Sequence, residues 1–140
     1  MTAERARERF VDSRVARLAT VDAEGRPHLV PVVFALTGNT LAFAVDHKPK
    51  RTTALKRLAN LRTNPAVSLL VDEYDEDWDH LWWARADGTA TVLPPAADAE
   101  PSARHVRLLT EKYRTQYAER PPEGPVVAVT VTRWSGWHAT

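Results

Sequence analysis

Cysteine is absent from this 140-residue sequence, so disulfide bonds, thiolate metal sites and cysteine nucleophiles are excluded. Excess charge is lacking too: 19 Lys and Arg face 18 Asp and Glu, and a net charge of +1 is too small for a surface that binds nucleic acid or anionic membrane as a whole. No apolar run occurs in residues 1–10, which argues against a signal peptide or membrane span at the start. We therefore expect one cytoplasmic domain, residues 1–140, without nucleic-acid or membrane partners.

Motifs of several common enzyme classes are missing. The five histidines show no metal-ligand spacing such as an i, i+4 pair, so we expect no metal site. No serine lies in a G-x-S-x-G context, and no glycine-rich phosphate loop or dinucleotide fingerprint occurs. Hydrolase, kinase and Rossmann dehydrogenase functions lose support, and no residue is singled out as catalytic.

The hydrophobic pattern predicts about six strands and three helices. Strands are expected at 14–21, 28–36, 40–46, 66–71, 81–93 and 126–134, and helices at 2–11, at 51–62 and from Pro101 to the Pro121-Pro122 pair. Pro31 places its strand at a sheet edge or bulge, and Asp87 with Gly88 predicts a bulge in the long strand. Because most strand-to-strand connections are short, the pattern indicates a mainly β protein, an antiparallel barrel or sandwich with decorating helices.

Basic residues are concentrated in one acid-free stretch between Asp46 and Asp72. At its start, cations and hydroxyls join a strand end to a helix start, where free N–H groups favour an anion: Lys48, Lys50, Arg51, Thr52 and Thr53. This segment has two equally supported interpretations: a phosphate-binding turn, and a solvated turn with ordinary surface lysines. Lys56, Arg57 and Asn60 face away from the predicted core, where a solvated helix face is the simpler interpretation.

An acidic stretch follows the next strand, with six carboxylates between Asp72 and Asp79. It lacks the glycine and closing glutamate of an EF-hand loop, so we expect a solvated acidic loop that pairs with the basic segment.

Five tryptophans are many for a chain of this size. Trp82 and Trp83 are adjacent on one predicted strand, so their side chains must point to opposite faces of the sheet. One of them therefore faces a cleft, a partner or solvent, where a large aromatic side chain anchors an interface or stacks on a planar ligand.

Several short motifs, taken in order, resemble the pyridoxamine 5′-phosphate oxidase-like split-barrel flavoproteins, and specifically their actinobacterial branch that uses the deazaflavin coenzyme F420. The motifs span nearly the whole chain and comprise Arg17-Leu-Ala-Thr20, Gly25-Arg-Pro-His-Leu-Val-Pro-Val-Val33, Lys48-Pro-Lys-Arg-Thr52, Arg57-Leu-Ala-Asn60, Asn64-Pro65, Leu70-Val-Asp72, Leu81-Trp-Trp-Ala-Arg85 and Trp134-Ser-Gly-Trp137. The resemblance implies a six-stranded antiparallel split β-barrel of the FMN-binding type. It also implies a homodimer with the cofactor in a groove between its subunits.

The resemblance also implies roles for individual residues. Val32 and Val33 would offer backbone groups to the cofactor ring, and Trp83 would reach the cofactor of the neighbouring subunit. The phosphate would be held by the 48–52 turn and the following helix, with Lys48, Lys50, Arg51, Thr52, Lys56 and Arg57 as candidates.

The function that follows from this resemblance is hydride transfer between F420 and an unknown small-molecule substrate. In such an enzyme the cofactor carries the chemistry, which accounts for the missing acid–base constellation. Two alternatives stay open: an FMN-dependent oxidoreductase of the same fold, and a non-catalytic carrier of a cofactor or haem.

Overall fold

The computed structural model describes residues 1–45 and 51–140, with the side chains of residues 51–55 excepted. Within these residues the structure has seven strands: β1 (Ala16–Val21), β2 (Pro27–Val32), β3 (Ala35–Thr37), β4 (Thr40–Ala44), β5 (Ala66–Glu73), β6 (Trp82–Leu93) and β7 (Val126–His138). The helices are α1 (Ala3–Val11), α2 (Arg51–Thr63), α3 (Glu100–Lys112) and α4 (Arg114–Tyr117), with one 3-10 turn at Trp78–His80.

All seven strands belong to one antiparallel sheet in the order β2-β1-β5-β6-β7-β4-β3. The expected mainly β architecture with helices is confirmed. The expected six-stranded barrel is not: the sheet has seven strands, and within the described residues its end strands β2 and β3 do not pair.

The seventh strand arises because the predicted strand at 28–36 is split. β2 pairs with β1 and β3 pairs with β4, so the chain changes neighbours at Val33 and Phe34. Phe34 is fully buried there, and the Tyr113 hydroxyl satisfies its backbone, accepting from its N–H at 3.1 Å and lying 3.0 Å from its carbonyl oxygen. A side chain 79 residues away thus replaces a hydrogen bond that a neighbouring strand would otherwise supply. No local sequence pattern predicts this contact.

The main core lies on one side of the sheet, called here the inner face. Its fully buried side chains include Leu18, Leu69 and Val129 from the strands, and α1 and α2 contribute Phe10 and Leu61. The opposite side, the outer face, is covered only in part: α3 packs its Val106 against Ala42 and Val126 there. Over β1, β2, β5 and the first half of β6, no described helix covers the outer face.

Two further predictions meet different outcomes. The bulge in the long strand is confirmed, because the register of β6 against β7 shifts between Asp87 and Gly88, and a Cβ at Gly88 would collide with the Thr130 carbonyl oxygen. The single predicted third helix is wrong. It is interrupted at Tyr113, whose backbone leaves the helical region at φ −117° and ψ 59°, and continues as α4.

β2 is an edge strand, as Pro31 predicted. Its two prolines, Pro27 and Pro31, are four residues apart, so their nitrogens point the same way along the pleat. A proline leaves the β1–β2 ladder intact only if its nitrogen faces away from β1, so both nitrogens face the open edge.

Candidate functional site

A small cleft of about 70 Å³ lies between α2 and the β1–β2 hairpin. Lys56, Arg57 and Asn60 line it from the helix, and Thr20, His28 and Val30 line it from the hairpin. None of these six side chains is acidic, so the cleft presents two cations together with neutral hydrogen-bonding groups.

The sequence builds this cleft by local rules. Leu58 and Leu61 are buried against the sheet, which anchors α2 and leaves Lys56 exposed with Arg57 and Asn60 half-buried at its rim. On the hairpin, Thr20 lies directly opposite His28 in the β1–β2 register, so their side chains share the inner face.

The hairpin turn is fixed by the buried carboxylate of Asp22. One oxygen accepts the backbone N–H groups of Glu24 at 3.0 Å and Arg26 at 2.9 Å; the other lies 3.2 Å from Arg26 Nε and 3.4 Å from His28 Nε2. The Arg26 backbone N–H is the main cause that lowers the pKa of Asp22 to about 2, against the opposing effect of burial. Asp22 is therefore ionised at neutral pH, and it positions the His28 ring at the cleft.

The two adjacent tryptophans point to opposite faces, as predicted. Trp82 is on the inner face, where it packs against the core and donates its Nε1–H to Glu73 at 2.8 Å, with the Arg9 guanidinium 4.2 Å from its ring centre. Trp83 is on the outer face, paired across the strands with Trp137. Within one chain, Trp83 and the cationic cleft therefore lie on opposite sides of the sheet.

The predicted site residues are distributed as follows. Lys56 and Arg57 are brought together in the cleft, whereas Val32 is buried on the inner face and Val33, 37% exposed, lies in the break between β2 and β3. Lys48 and Lys50 lie outside the described residues, and Arg51 and Thr52 are described only as the first turn of α2.

Four cleft residues were not predicted as site residues: Thr20, His28, Val30 and Asn60. The signal that finds two of them is the hairpin itself, because Thr20 and His28 stand at equal distances on either side of the Asp22–Arg26 turn. The basic helix packs on that hairpin only in the folded chain.

The acidic stretch is solvated, as expected. Asp72 is 3.7 Å from Arg17, Glu73 accepts from Trp82 on the neighbouring strand, and other contacts of these carboxylates are local, such as Asp75 with His80 at 3.4 Å. Lys56 and Arg57 have no ion pair with it in the described part of the chain, so the expected pairing with the basic segment does not extend to them. Across residues 1–45 and 51–140, no group of three or more His, Cys, Asp or Glu side chains is arranged to hold a metal ion.

The model of one protein family, described as pyridoxamine 5′-phosphate oxidase, matches residues 2–138. The chain belongs to this family. Solved structures agree on the fold at low sequence identity. A FAD-binding protein of Mesorhizobium loti aligns with a TM-score of 0.71 and 21% identity over 97% of this chain and 92% of its own. No curated protein sequence matches this chain significantly.

Two other proteins of similar structure are named for different ligands, F420 and haem. An F420 reductase aligns with a TM-score of 0.66 and 24% identity, over 91% of this chain and 94% of its own. The haem storage protein HutZ of Vibrio cholerae aligns with a TM-score of 0.70 and 17% identity, over 96% and 92%. The fold is thus shared by flavin-, F420- and haem-binding proteins. None of the helices among the described residues has the length and apolar character needed to cross a membrane.

Proposed function

We propose that this protein is an F420-dependent oxidoreductase that holds the cofactor by its phosphate in the cleft beside α2. The observation that carries the proposal is the pairing of Lys56 and Arg57 with Asn60, Thr20 and His28 around a cleft with no acidic lining residue. A volume of about 70 Å³ suits a phosphate group and is too small for a whole ring system.

The residues present fit such a group chemically. Arg57 offers a planar fork of N–H donors, Lys56 a mobile ammonium, and Asn60 and Thr20 neutral donors, a set that matches the oxygens of a phosphate ester. The bound deazaflavin would supply the hydride chemistry, and the protein would bind, orient and shield it. Lys48 and Lys50 remain candidates for the same phosphate.

We further propose that the working unit is a homodimer. Trp83 lies on the face opposite the cleft, so only a second copy can bring its indole to a cofactor held there. The outer face around it is uncovered and carries large apolar side chains: Leu29 is 69% exposed, Trp137 is 46% exposed, and Pro31 and Leu70 lie on the same side. The charged residues Arg17, Asp72 and Arg85 share this face. A mixed face of this kind suits a subunit interface in which apolar side chains are surrounded by polar ones.

The same cations would serve FMN, which ends in a phosphate monoester, and FMN is therefore the second candidate cofactor. F420 carries additional carboxylates beyond its phosphate, so a strongly basic approach to the cleft favours it. The acid-free stretch from His47 to Val71 supplies that basic approach.

The decisive measurement is a titration of the protein with F420 and with FMN, in which the fluorescence anisotropy of the cofactor reports binding. We expect Arg57→Gln to weaken F420 binding about tenfold or more, because a charge-assisted hydrogen bond contributes about 1.5–3 kcal/mol. Arg62→Gln is the matched control, because Arg62 is on the same helix, is exposed and does not line the cleft.

Equal losses for the two variants would indicate a diffuse charge effect and contradict the cleft assignment. Tighter binding of FMN than of F420 would move the assignment to the second candidate. Binding without reoxidation of reduced F420 by any substrate in a panel would indicate a carrier, and a Soret band after haem addition a haem-binding protein.

A further inference from the structure

Lys112, the last residue of α3, has unusual surroundings for a lysine. Its Nζ lies 3.8 Å from the ring centre of Phe34 and 5.3 Å from that of Tyr113. It has no carboxylate partner among the described residues. It borders a second cleft, of about 300 Å³, which is separate from the cationic one and is lined by Val11, Ala35, Leu36, Leu108 and Glu111.

A second cation stands close to this amine. The Arg14 guanidinium lies 4.6 Å from the Tyr113 ring centre, and its Nη2 donates to the Lys112 carbonyl oxygen at 2.8 Å. The like charge and the apolar surroundings both disfavour the ammonium form. Burial first, and Arg14 second, lower the pKa of Lys112 to about 8. The Phe34 and Tyr113 rings act in the opposite direction, because an aromatic face attracts a cation.

We propose that the Lys112 amine is a nucleophile that condenses with a small aliphatic aldehyde or ketone bound in this cleft. The nitrogen lone pair attacks the carbonyl carbon, a C–N bond forms, and the C=O π electrons move to oxygen. The two N–H protons are transferred to the oxygen. The C–O bond then breaks, the oxygen leaves as water, and the nitrogen lone pair forms the second C–N bond, which gives an imine without any change of oxidation state.

The cleft selects this ligand class by its lining. Four of its other side chains are aliphatic, so they suit a short hydrocarbon chain, and 300 Å³ is at the lower end of small-molecule sites. Lys112 is also set apart from the other three lysines, which all lie between residues 48 and 56. At pH 7.5 about a quarter of an amine with a pKa near 8 is neutral, against roughly 0.1% of an ordinary lysine.

The test uses propanal as the probe, with cyanoborohydride to reduce the imine and mass spectrometry of peptides to locate the propyl group. At pH 7.5 we expect Lys112 to be labelled at least about tenfold faster than the exposed Lys56. Lys112→Arg keeps the charge and should abolish labelling of that peptide. Labelling of Lys112 at or below the rate of Lys56 would overturn the proposal.

Two variants separate the basicity of the amine from access to the cleft. Arg14→Gln removes the neighbouring charge, so the pH profile of Lys112 labelling should shift to higher pH. The other titratable groups near the amine are Tyr113, whose ring centre is 5.3 Å from Nζ, and Glu111, which lines the same cleft. Burial raises the pKa of Tyr113, which keeps it neutral over this range. Val11→Trp narrows the cleft mouth and should slow labelling without moving the profile. Unchanged profile and rate in both folded variants would contradict a role of the cleft.

Discussion

At the scale of single residues, the ionisation of Asp22 is coupled to folding. Its pKa is about 2 in the folded protein, whereas an aspartate in an unfolded chain titrates near 3.9. A lowered folded-state pKa means that the carboxylate stabilises the fold above the unfolded pKa and that this contribution is lost as pH falls towards 2.

We therefore expect the stability difference between the wild type and Asp22→Asn to be constant near neutral pH and to shrink between about pH 4 and pH 2. Urea unfolding followed by tryptophan fluorescence at a series of pH values measures it. A difference that persists at pH 2 would show that packing of the side chain, and not its charge, stabilises the turn.

Trp82 and Trp83 form a natural matched pair of variants, because they share a strand and differ only in the face they occupy. Trp82→Ala removes core packing, one hydrogen bond and a cation–π contact, and should cost about 2–3 kcal/mol, below the range for a fully buried tryptophan. Trp83→Ala should cost less stability than Trp82→Ala, because Trp83 lies outside the core of its own chain, and it should weaken F420 binding. Thermal unfolding and cofactor titration of both variants check this, and exchanged phenotypes would mean that the two residues have exchanged roles.

At the scale of elements, Tyr113 links the end of α3 to the two halves of the split strand. Its buried hydroxyl accepts from the Phe34 N–H and lies within donating distance of the Arg14 and Phe34 carbonyl oxygens. Tyr113→Phe leaves a buried N–H without its acceptor, so we expect a loss of about 1–3 kcal/mol in chemical denaturation. Tyr74→Phe removes a hydroxyl from an exposed tyrosine and should be neutral. Equal stability of the two variants would show that the hydrogen bonds of the Tyr113 hydroxyl do not stabilise the fold.

The contact between Tyr113 and Phe34 is one that the sequence alone does not predict. Local sequence signals were sufficient for α1, for the bulge at Asp87 and Gly88, and for the opposed tryptophans, because each is a local property of backbone and side chain. The break at Val33 and Phe34 depends on Tyr113, and the cleft depends on α2 reaching the β1–β2 hairpin. Both are contacts between segments far apart in the chain.

At the scale of the whole molecule, the exposed apolar side chains on the outer face predict self-association. We expect light scattering at micromolar concentration to return about twice the 15.7 kDa of one chain. Leu29→Glu, on that face, should shift the protein towards monomer and weaken F420 binding, whereas Val11→Glu, an exposed change on α1, should leave the mass unchanged. A monomer mass for the wild type would contradict both the proposed dimer and the proposed contact of Trp83 with the cofactor of the other subunit.

The two prolines of β2 restrict how such association can occur. An open sheet offers its edges to any strand that passes, and β2 meets this hazard by presenting nitrogens without hydrogens at Pro27 and Pro31. At the other edge, β3 has only three residues, too few to template a long pairing. The proposed dimer would therefore form face to face, as a closed pair, and the two edges would not favour edge-to-edge joining of sheets into a growing fibre.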